Sequence, residues 1–249
     1  DAAYPSKLKN IPDPPILLYY KGQLPDLDAL PVIGVVGTRK ASAYGMQTAK
    51  RMGYQIGRCG GIVVSGMAFG IDGMAMRGAL TAGKSVVGVL GCGVDIAYPA
   101  ENRQLFRDIM EHGCLISEYP PGVQAKPWNF PVRNRIVSGL SLGTVVVEAS
   151  AKSGTLITAE LALQQGRDVF ALPTDLYNNR GEGNLNLIGQ GATIVFSAES
   201  IAEEYSALYG DKMSKTIESR MRLRRQGHAE SFTITPQKEN MLQLQVFLF

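Results

Sequence analysis

The chain has 249 residues, 45% of them apolar, and a formal net charge of +3. That suits one large α/β domain with a sizeable core and small additions at each end. No stretch approaches the ~20 apolar residues of a membrane span. The opening Asp1-Ala-Ala-Tyr-Pro-Ser-Lys lacks the charged start and apolar run of a signal peptide, so the expectation is a cytoplasmic protein without membrane contact. Cys59, Cys92 and Cys114 are odd in number, far apart and set among apolar or glycine residues, which predicts buried structural thiols rather than a disulfide framework. His112 and His228 are the only histidines. They are too few for most metal sites or for a histidine-based catalytic set, and no metal or cofactor is expected. Residues 1–210 carry 18 Lys+Arg and 18 Asp+Glu, whereas 211–249 carry 7 and 4. Anion binding by the main domain must therefore rest on local clusters of cations and not on a global field.

In chain order, residues 1–30 are proline-rich and read as a lead-in with one short strand near Leu17-Leu-Tyr-Tyr. Val32-Ile-Gly-Val-Val is the next strand. Ser42 is placed to cap a helix whose Met46, Ala49, Met52, Ile56 and Cys59 recur at helical spacing, and Gly60-Gly61 ends it. Ile62-Val-Val, Ser85–Leu90, Cys114-Leu-Ile-Ser, Thr144-Val-Val-Val-Glu and Asp168–Leu172 are further strands. They alternate with helices at about 72–82, 101–112, 133–140 and 155–165. Ala192–Phe196 reads as one more strand and 198–208 as a last helix. This alternation, with near-continuous Val/Ile strands, predicts an α/β fold: a doubly wound, mostly parallel sheet with helices on both faces, over residues 31–210. Residues 211–249 form a basic tail. It is either an arm that touches nucleic acid or a solvated helix with a peripheral packing segment.

The strand C-termini of a parallel sheet share one edge, where doubly wound folds bind ligands. Here that edge receives Gly37-Thr38-Arg39-Lys40, Ser65-Gly66, Gly91-Cys-Gly93, Ser117-Glu118 and Glu148–Thr155. Glycine loops that open helices present free amides to an anion, and Ser153-Gly154-Thr155 and Ser65-Gly66 have that form. Arg39, Lys40 and Lys152 add full charges. Glycine at such turns also serves packing alone. Phe130-Pro-Val-Arg133-Asn134-Arg135 follows Lys126 and Trp128, which places phosphate-forking arginines beside stackable aromatics. The alternative is that the arginines pair with Glu118 or Glu148, that Asn134 caps a turn and that Trp128 plugs the core. The glycine spacing of a dinucleotide-binding loop and the Walker-A lysine are both missing. Asp72, Asp95, Glu118 and Glu148 sit near the rim as candidate acids or bases, but more often such groups orient loop amides or pair with arginine.

These motifs resemble the bacterial DNA-processing protein A family, also called Smf. The likeness runs through Val36-Gly-Thr-Arg-Lys-Ala-Ser, Ser65-Gly-Met-Ala-Phe-Gly-Ile-Asp72, Tyr98-Pro99 with Asn102, Ile116-Ser-Glu118, Phe130–Ser141, Val147-Glu-Ala149 and Ser153–Ala159, over roughly residues 4–208. The resemblance implies an extended Rossmann-like domain that binds single-stranded DNA, helps load RecA on incoming strands in natural transformation, forms a homodimer through this domain and catalyses nothing. It makes Arg39 the leading DNA contact. Lys126, Arg133, Arg135 and Lys152 come next, and Ser65, Gly66, Ser153 and Gly154 offer amides or hydroxyls. Phe69 and Met76 stand where the family usually has arginine and histidine, and Thr174 replaces a glycine. The family's N-terminal helical module is missing, as in a fragment or a short member. The rival is a phosphoribohydrolase resembling lysine-decarboxylase-like proteins, or a nucleotide-binding module using the same rim. The first of these places Pro-Gly-Gly and a glutamate where this chain has Ala151-Lys-Ser153 and Thr158.

Overall fold

The computed structural model describes residues 4–210, 212 and 245–248. The elements run α1 (Ser6–Lys9), β1 (Leu17–Gly22), β2 (Val32–Val36), α2 (Ala43–Arg58), β3 (Ile62–Ser65), α3 (Ile71–Thr81) and β4 (Val86–Leu90). They continue with a 3-10 turn at Ala100–Asn102, α4 (Arg103–His112), β5 (Cys114–Ser117), α5 (Asn129–Leu140), β6 (Gly143–Val146), α6 (Thr155–Gln164) and β7 (Asp168–Ala171). The last are α7 (Glu182–Gly189), β8 (Thr193–Ile194), α8 (Ala198–Glu204), α9 (Ser206–Tyr209) and β9 (Gln245–Leu248).

The strands form one sheet in the order β8-β7-β6-β2-β3-β4-β5-β1-β9. Every pairing from β8 to β5 is parallel; β1 joins β5 and β9 joins β1 antiparallel. Strands β2 to β6 are buried at every position, as expected where helices cover both faces. One core packs Ala49, Met52 and Ile56 of α2, Ala75 and Met76 of α3, Leu105 and Ile109 of α4 and Ile201 of α8 against Ile33, Val35 and Val63. The other packs Leu8 of α1, Ile136 and Leu140 of α5, Ala159 and Ala162 of α6 and Leu187 of α7 against Val32, Val36 and Val64. The doubly wound α/β architecture is thus the one the sequence pattern predicts.

Local expectations fare unevenly. Ser42 caps α2, its Oγ accepting from the Gly45 amide at 2.9 Å. The three cysteines are buried and form no disulfide. The fifth helix begins at Asn129, four residues before the expected Arg133, because Pro131 lies in its first turn where no amide is needed. Arg133 and Asn134 therefore sit inside the helix, and Asn134 caps nothing. The expected strand at 192–196 shrinks to Thr193–Ile194, and α7 falls where no helix was expected. The lead-in supplies a full strand of the sheet, and Gln245–Leu248 of the tail pairs beside it. The basic cluster Lys215–Arg225 lies outside the described residues.

Candidate functional site

The chain runs outward from β2 through β5, then returns by α5 to place β6 on the other side of β2. The loops after β2 and β6 lead to helices on opposite faces, so they part and leave a crevice between them. It holds a cleft of about 510 Å³ lined by Gly37, Thr38, Arg39 and Lys40 from one side and by Ser150, Ser153, Gly154 and Thr155 from the other. Gly66, Asp72 and Arg133 form the floor, and Tyr98, Phe130, Pro131 and Asn134 close one wall.

Among the residues expected to contact DNA or phosphate, Gly37, Thr38, Arg39, Gly66, Arg133, Asn134, Ser153, Gly154 and Thr155 meet at the cleft. Ser65, Lys126, Arg135 and Lys152 do not line it. Ser65 is fully buried and its hydroxyl donates to the Val35 carbonyl at 2.6 Å, so it has no hydroxyl to offer a ligand. Arg135 makes ion pairs with Glu118 at 2.7 Å and Asp13 at 2.9 Å, which fasten α5 to β5 and the lead-in. Lys126 and Lys152 are exposed beside the cleft, Lys126 lying 5.5 Å over the ring of Trp128. Trp128 itself is 66% exposed and is no core plug.

The two cleft arginines differ in kind. Arg39 is exposed, and its guanidinium lies 5.0 Å from the centre of the Phe130 ring. Phe130 stacks in turn on Tyr98, centroid to centroid 5.5 Å. Arg133 is 4% exposed and donates to the Gly66 carbonyl at 2.5 Å and to the Val89 carbonyl. Burial pulls its guanidinium down to about 10, still far enough above neutrality to keep the charge. It supports the floor from beneath, so its side chain is committed to protein carbonyls.

The rim carboxylates are similarly committed. Asp72 accepts the Gly66 amide at 3.1 Å; burial pushes its carboxyl up, while Arg133 and three loop amides act the other way. Glu148 accepts both the amide and the hydroxyl of Ser42 at 3.0 Å, which ties the β2 loop to the β6 loop across the crevice. Asp95 accepts the Gly122 amide, and Glu118 pairs with Arg135. All four orient backbone or arginine.

Two of the glycines at the cleft serve packing. A Cβ at Gly37 would fall 2.5 Å from Ile71, and one at Gly66 would fall 2.6 Å from the Arg133 guanidinium. Gly154 faces open space where α6 begins at the crevice. Ser153 Oγ accepts the Thr155 amide at 3.2 Å and donates to the Thr155 hydroxyl, which holds that turn open.

Three buried asparagines, Asn102, Asn129 and Asn184, brace these loops. The Asn102 amide nitrogen donates to the Met67 and Ala68 carbonyls, and that of Asn129 to Gly91. Asn184 donates to the Val146, Val147 and Leu172 carbonyls and accepts the Ala149 amide at 2.8 Å. Asparagine carries a donor and an acceptor on a short uncharged side chain, so it can satisfy a strand end from inside the core. No metal-holding cluster of His, Cys, Asp and Glu occurs among the described residues, and none of their helices is long and apolar enough to cross a membrane.

Fold and cleft together define an extended Rossmann-like α/β protein with a crevice at its topological switch point, lined by Arg39 and Lys40. Residues 1–206 match the family model described as DNA recombination-mediator protein A, and the chain belongs to that family. It is 46% identical over 201 residues to the DNA processing protein DprA of Bacillus subtilis, covering 81% of this chain and 68% of that one. Protein Smf of Synechocystis is 40% identical over 84% of this chain, but only 53% of its own length is covered, so this chain spans little more than half of that relative. The X-ray structure of DprA from Streptococcus pneumoniae superposes with a TM-score of 0.78 at 40% identity, over 82% of this chain and 71% of that one. DNA processing protein A from Helicobacter pylori, described with its single-stranded DNA binding mode, superposes with a TM-score of 0.72 at 29% identity, over 79% and 90%. A molybdenum cofactor binding protein from Rippkaea orientalis, 22% identical with a TM-score of 0.51, shares the fold alone.

Proposed function

We propose that this chain binds single-stranded DNA by its phosphates in the switch-point cleft and acts as a non-enzymatic recombination mediator that helps load RecA in the cytoplasm. The observation that carries the reading is the pairing of Arg39 with Phe130 at the mouth. It is an exposed cation with no ion pair among the described residues, set over an aromatic across the cleft from the start of α6. Such a pair meets a phosphate with the guanidinium and a base with a ring face. Lys40, Lys126 and Lys152 surround the mouth, all exposed. Asp72, Asp95, Glu118 and one oxygen of Glu148 are taken up by amides, a hydroxyl and arginine, and Thr158 stands where the phosphoribohydrolase pattern has glutamate, which favours binding over acid–base chemistry. The relatives named for DNA processing and for single-stranded DNA binding support the same ligand.

A homodimer completes the reading. The β8 edge carries exposed Ile194 and Phe196, and the loop after β7 carries exposed Leu176 and Tyr177. Exposed apolar groups at a sheet edge suit a partner of the same kind.

Fluorescence anisotropy with oligo-dT of about 20 nucleotides tests the ligand, because four phosphate contacts give a slope of log K against log salt near −3 on a single strand. Duplex of equal length should compete weakly. RecA filament growth on single strands, with and without the protein, tests mediation. Equal affinity for duplex and single strand, or no acceleration of filament growth, would contradict the two parts in turn.

A further inference from the structure

The cations of this domain are not spread evenly. Between residues 29 and 94 the chain holds seven, Arg39, Lys40, Lys50, Arg51, Arg58, Arg77 and Lys84, against one acid, Asp72. Asp72 is buried under the cleft floor. Two of the cations stand at the cleft mouth and the other five lie on α2, α3 and the turn that follows α3. Lys50, Arg51 and Lys84 are exposed, and Arg58 and Arg77 are partly so. None of the five makes an ion pair among the described residues.

The fold turns this stretch into a surface. Helix α2 starts at the cleft rim with Ser42, which Glu148 holds, and runs 16 residues to the opposite edge of the sheet. At 1.5 Å per residue that is about 24 Å of helix. Helix α3 crosses it in close contact because Gly53 and Gly78 have no side chains: a Cβ on Gly78 would fall 2.0 Å from the Lys50 carbonyl. The close crossing leaves a groove of about 250 Å³ lined by Gln47, Lys50, Arg51, Tyr54, Gly78 and Thr81. Tyr54 is 37% exposed there. The carboxylates of the same layer lie on the flanking helices, Glu199, Glu203 and Glu204 on α8 and Asp108 and Glu111 on α4; Asp108 accepts from Gln104.

We infer that the α2–α3 face is a second single-strand track, on which DNA leaving the switch-point cleft lays its phosphates against Lys50, Arg51 and Lys84 and a base on Tyr54. The inference rests on the cleft reading above. Like-charged groups crowded without partners repel one another, and a polyanion relieves that. A single strand fits better than an acidic protein surface for two reasons. The basic run is continuous with Arg39 and Lys40, and its groove offers a ring face among cations, the combination that sequence-independent single-strand binders use.

Two oligonucleotide lengths separate the sites: oligo-dT of about 6 nucleotides, within the range one small site holds, and oligo-dT of about 20. The expected result is a salt slope steeper by about 2 for the longer strand, since each single-strand phosphate contact contributes about 0.7. The triple variant Lys50→Ala/Arg51→Ala/Lys84→Ala should lose that difference and bind the 6-mer as the wild type does, which also reports an intact cleft. Tyr54→Ala should weaken the 20-mer about fivefold or more with no change of slope, because stacking releases no counterions. An unchanged 20-mer slope in the triple variant, or equal wild-type slopes for the two lengths, overturns the track. If the 6-mer fails to bind the wild type, it is the cleft reading that fails.

Discussion

Arg39 and Phe130, distant in sequence, meet with the guanidinium 5.0 Å from the ring centre at the mouth of the cleft. The contact exists because the β2 loop and the first turn of α5 converge above the floor that Gly66 and Arg133 make. A planar cation on a ring is held ready for a phosphate, with its charge still in water. Lysine keeps the charge but not the plane. Arg39→Lys should therefore preserve the salt slope and weaken oligo-dT binding about two- to fivefold, the size of an exposed cation–π contact. Anisotropy at two salt concentrations reads both.

Arg133 behaves differently under substitution. Its removal strands the Gly66 and Val89 carbonyls and leaves buried Asp72 without its cation. Breaking a buried charge arrangement of this kind costs about 3–5 kcal/mol. Arg133→Ala should lower the urea midpoint sharply, and DNA binding should fall only as the folded fraction falls. A stable Arg133→Ala protein with lost binding would instead make Arg133 a direct contact.

Asn184→Ala deletes four hydrogen bonds at the ends of β6 and β7. Each buried group left unsatisfied costs about 1–3 kcal/mol, so a loss of about 3 kcal/mol or more in chemical denaturation is expected. Amide exchange at Ala149 should rise well above that of the β3–β4 core.

The buried thiols set an alkaline limit on stability. Burial pushes Cys92 up to about 11 and Cys114 up to about 12. Between the ordinary thiol value and these, the unfolded chain has released protons that the folded chain keeps. Stability then falls as pH rises, by up to about 1.4 kcal/mol per pH unit for each thiol. Urea midpoints should drop from pH 9 to 10, and Cys114→Ala should flatten that drop. The native protein should also resist alkylation at pH 8, while unfolded chains label at all three cysteines.

How far the sequence reaches is clearest from particular residues. The strands and the shared rim were legible because Val/Ile runs ending in glycine and serine carry a period and a boundary. The resemblance put Arg39 foremost among the contacts, and the charge balance required local cations. The fates of Ser65 and Arg133 were not legible, since a serine or arginine written beside a loop reads alike whether it faces a ligand or a buried carbonyl; for Arg135, pairing with Glu118 was one of the two readings the sequence allowed, and it is the one the fold adopts. Pro131 hid the start of α5, because proline signals a helix break as readily as a first turn. Asn129 gave no signal at all; its partner is the Gly91 carbonyl, 38 residues away. The family resemblance touches Gly183–Ile188, the stretch that holds Asn184, but gives no hint that Asn184 binds the ends of β6 and β7. Helix α7 was missed in its short, glycine-flanked, asparagine-rich stretch, where propensity favours turns.

The most direct test of the central claim is a salt titration of oligo-dT binding by the wild type and by Arg39→Ala. Wild-type binding should weaken steeply with salt. In Arg39→Ala the affinity should be lower by about tenfold or more, the worth of a charged hydrogen bond, and the slope shallower by about 0.7, with an unchanged denaturation midpoint. Wild-type affinity in Arg39→Ala, or binding indifferent to salt, would contradict that claim.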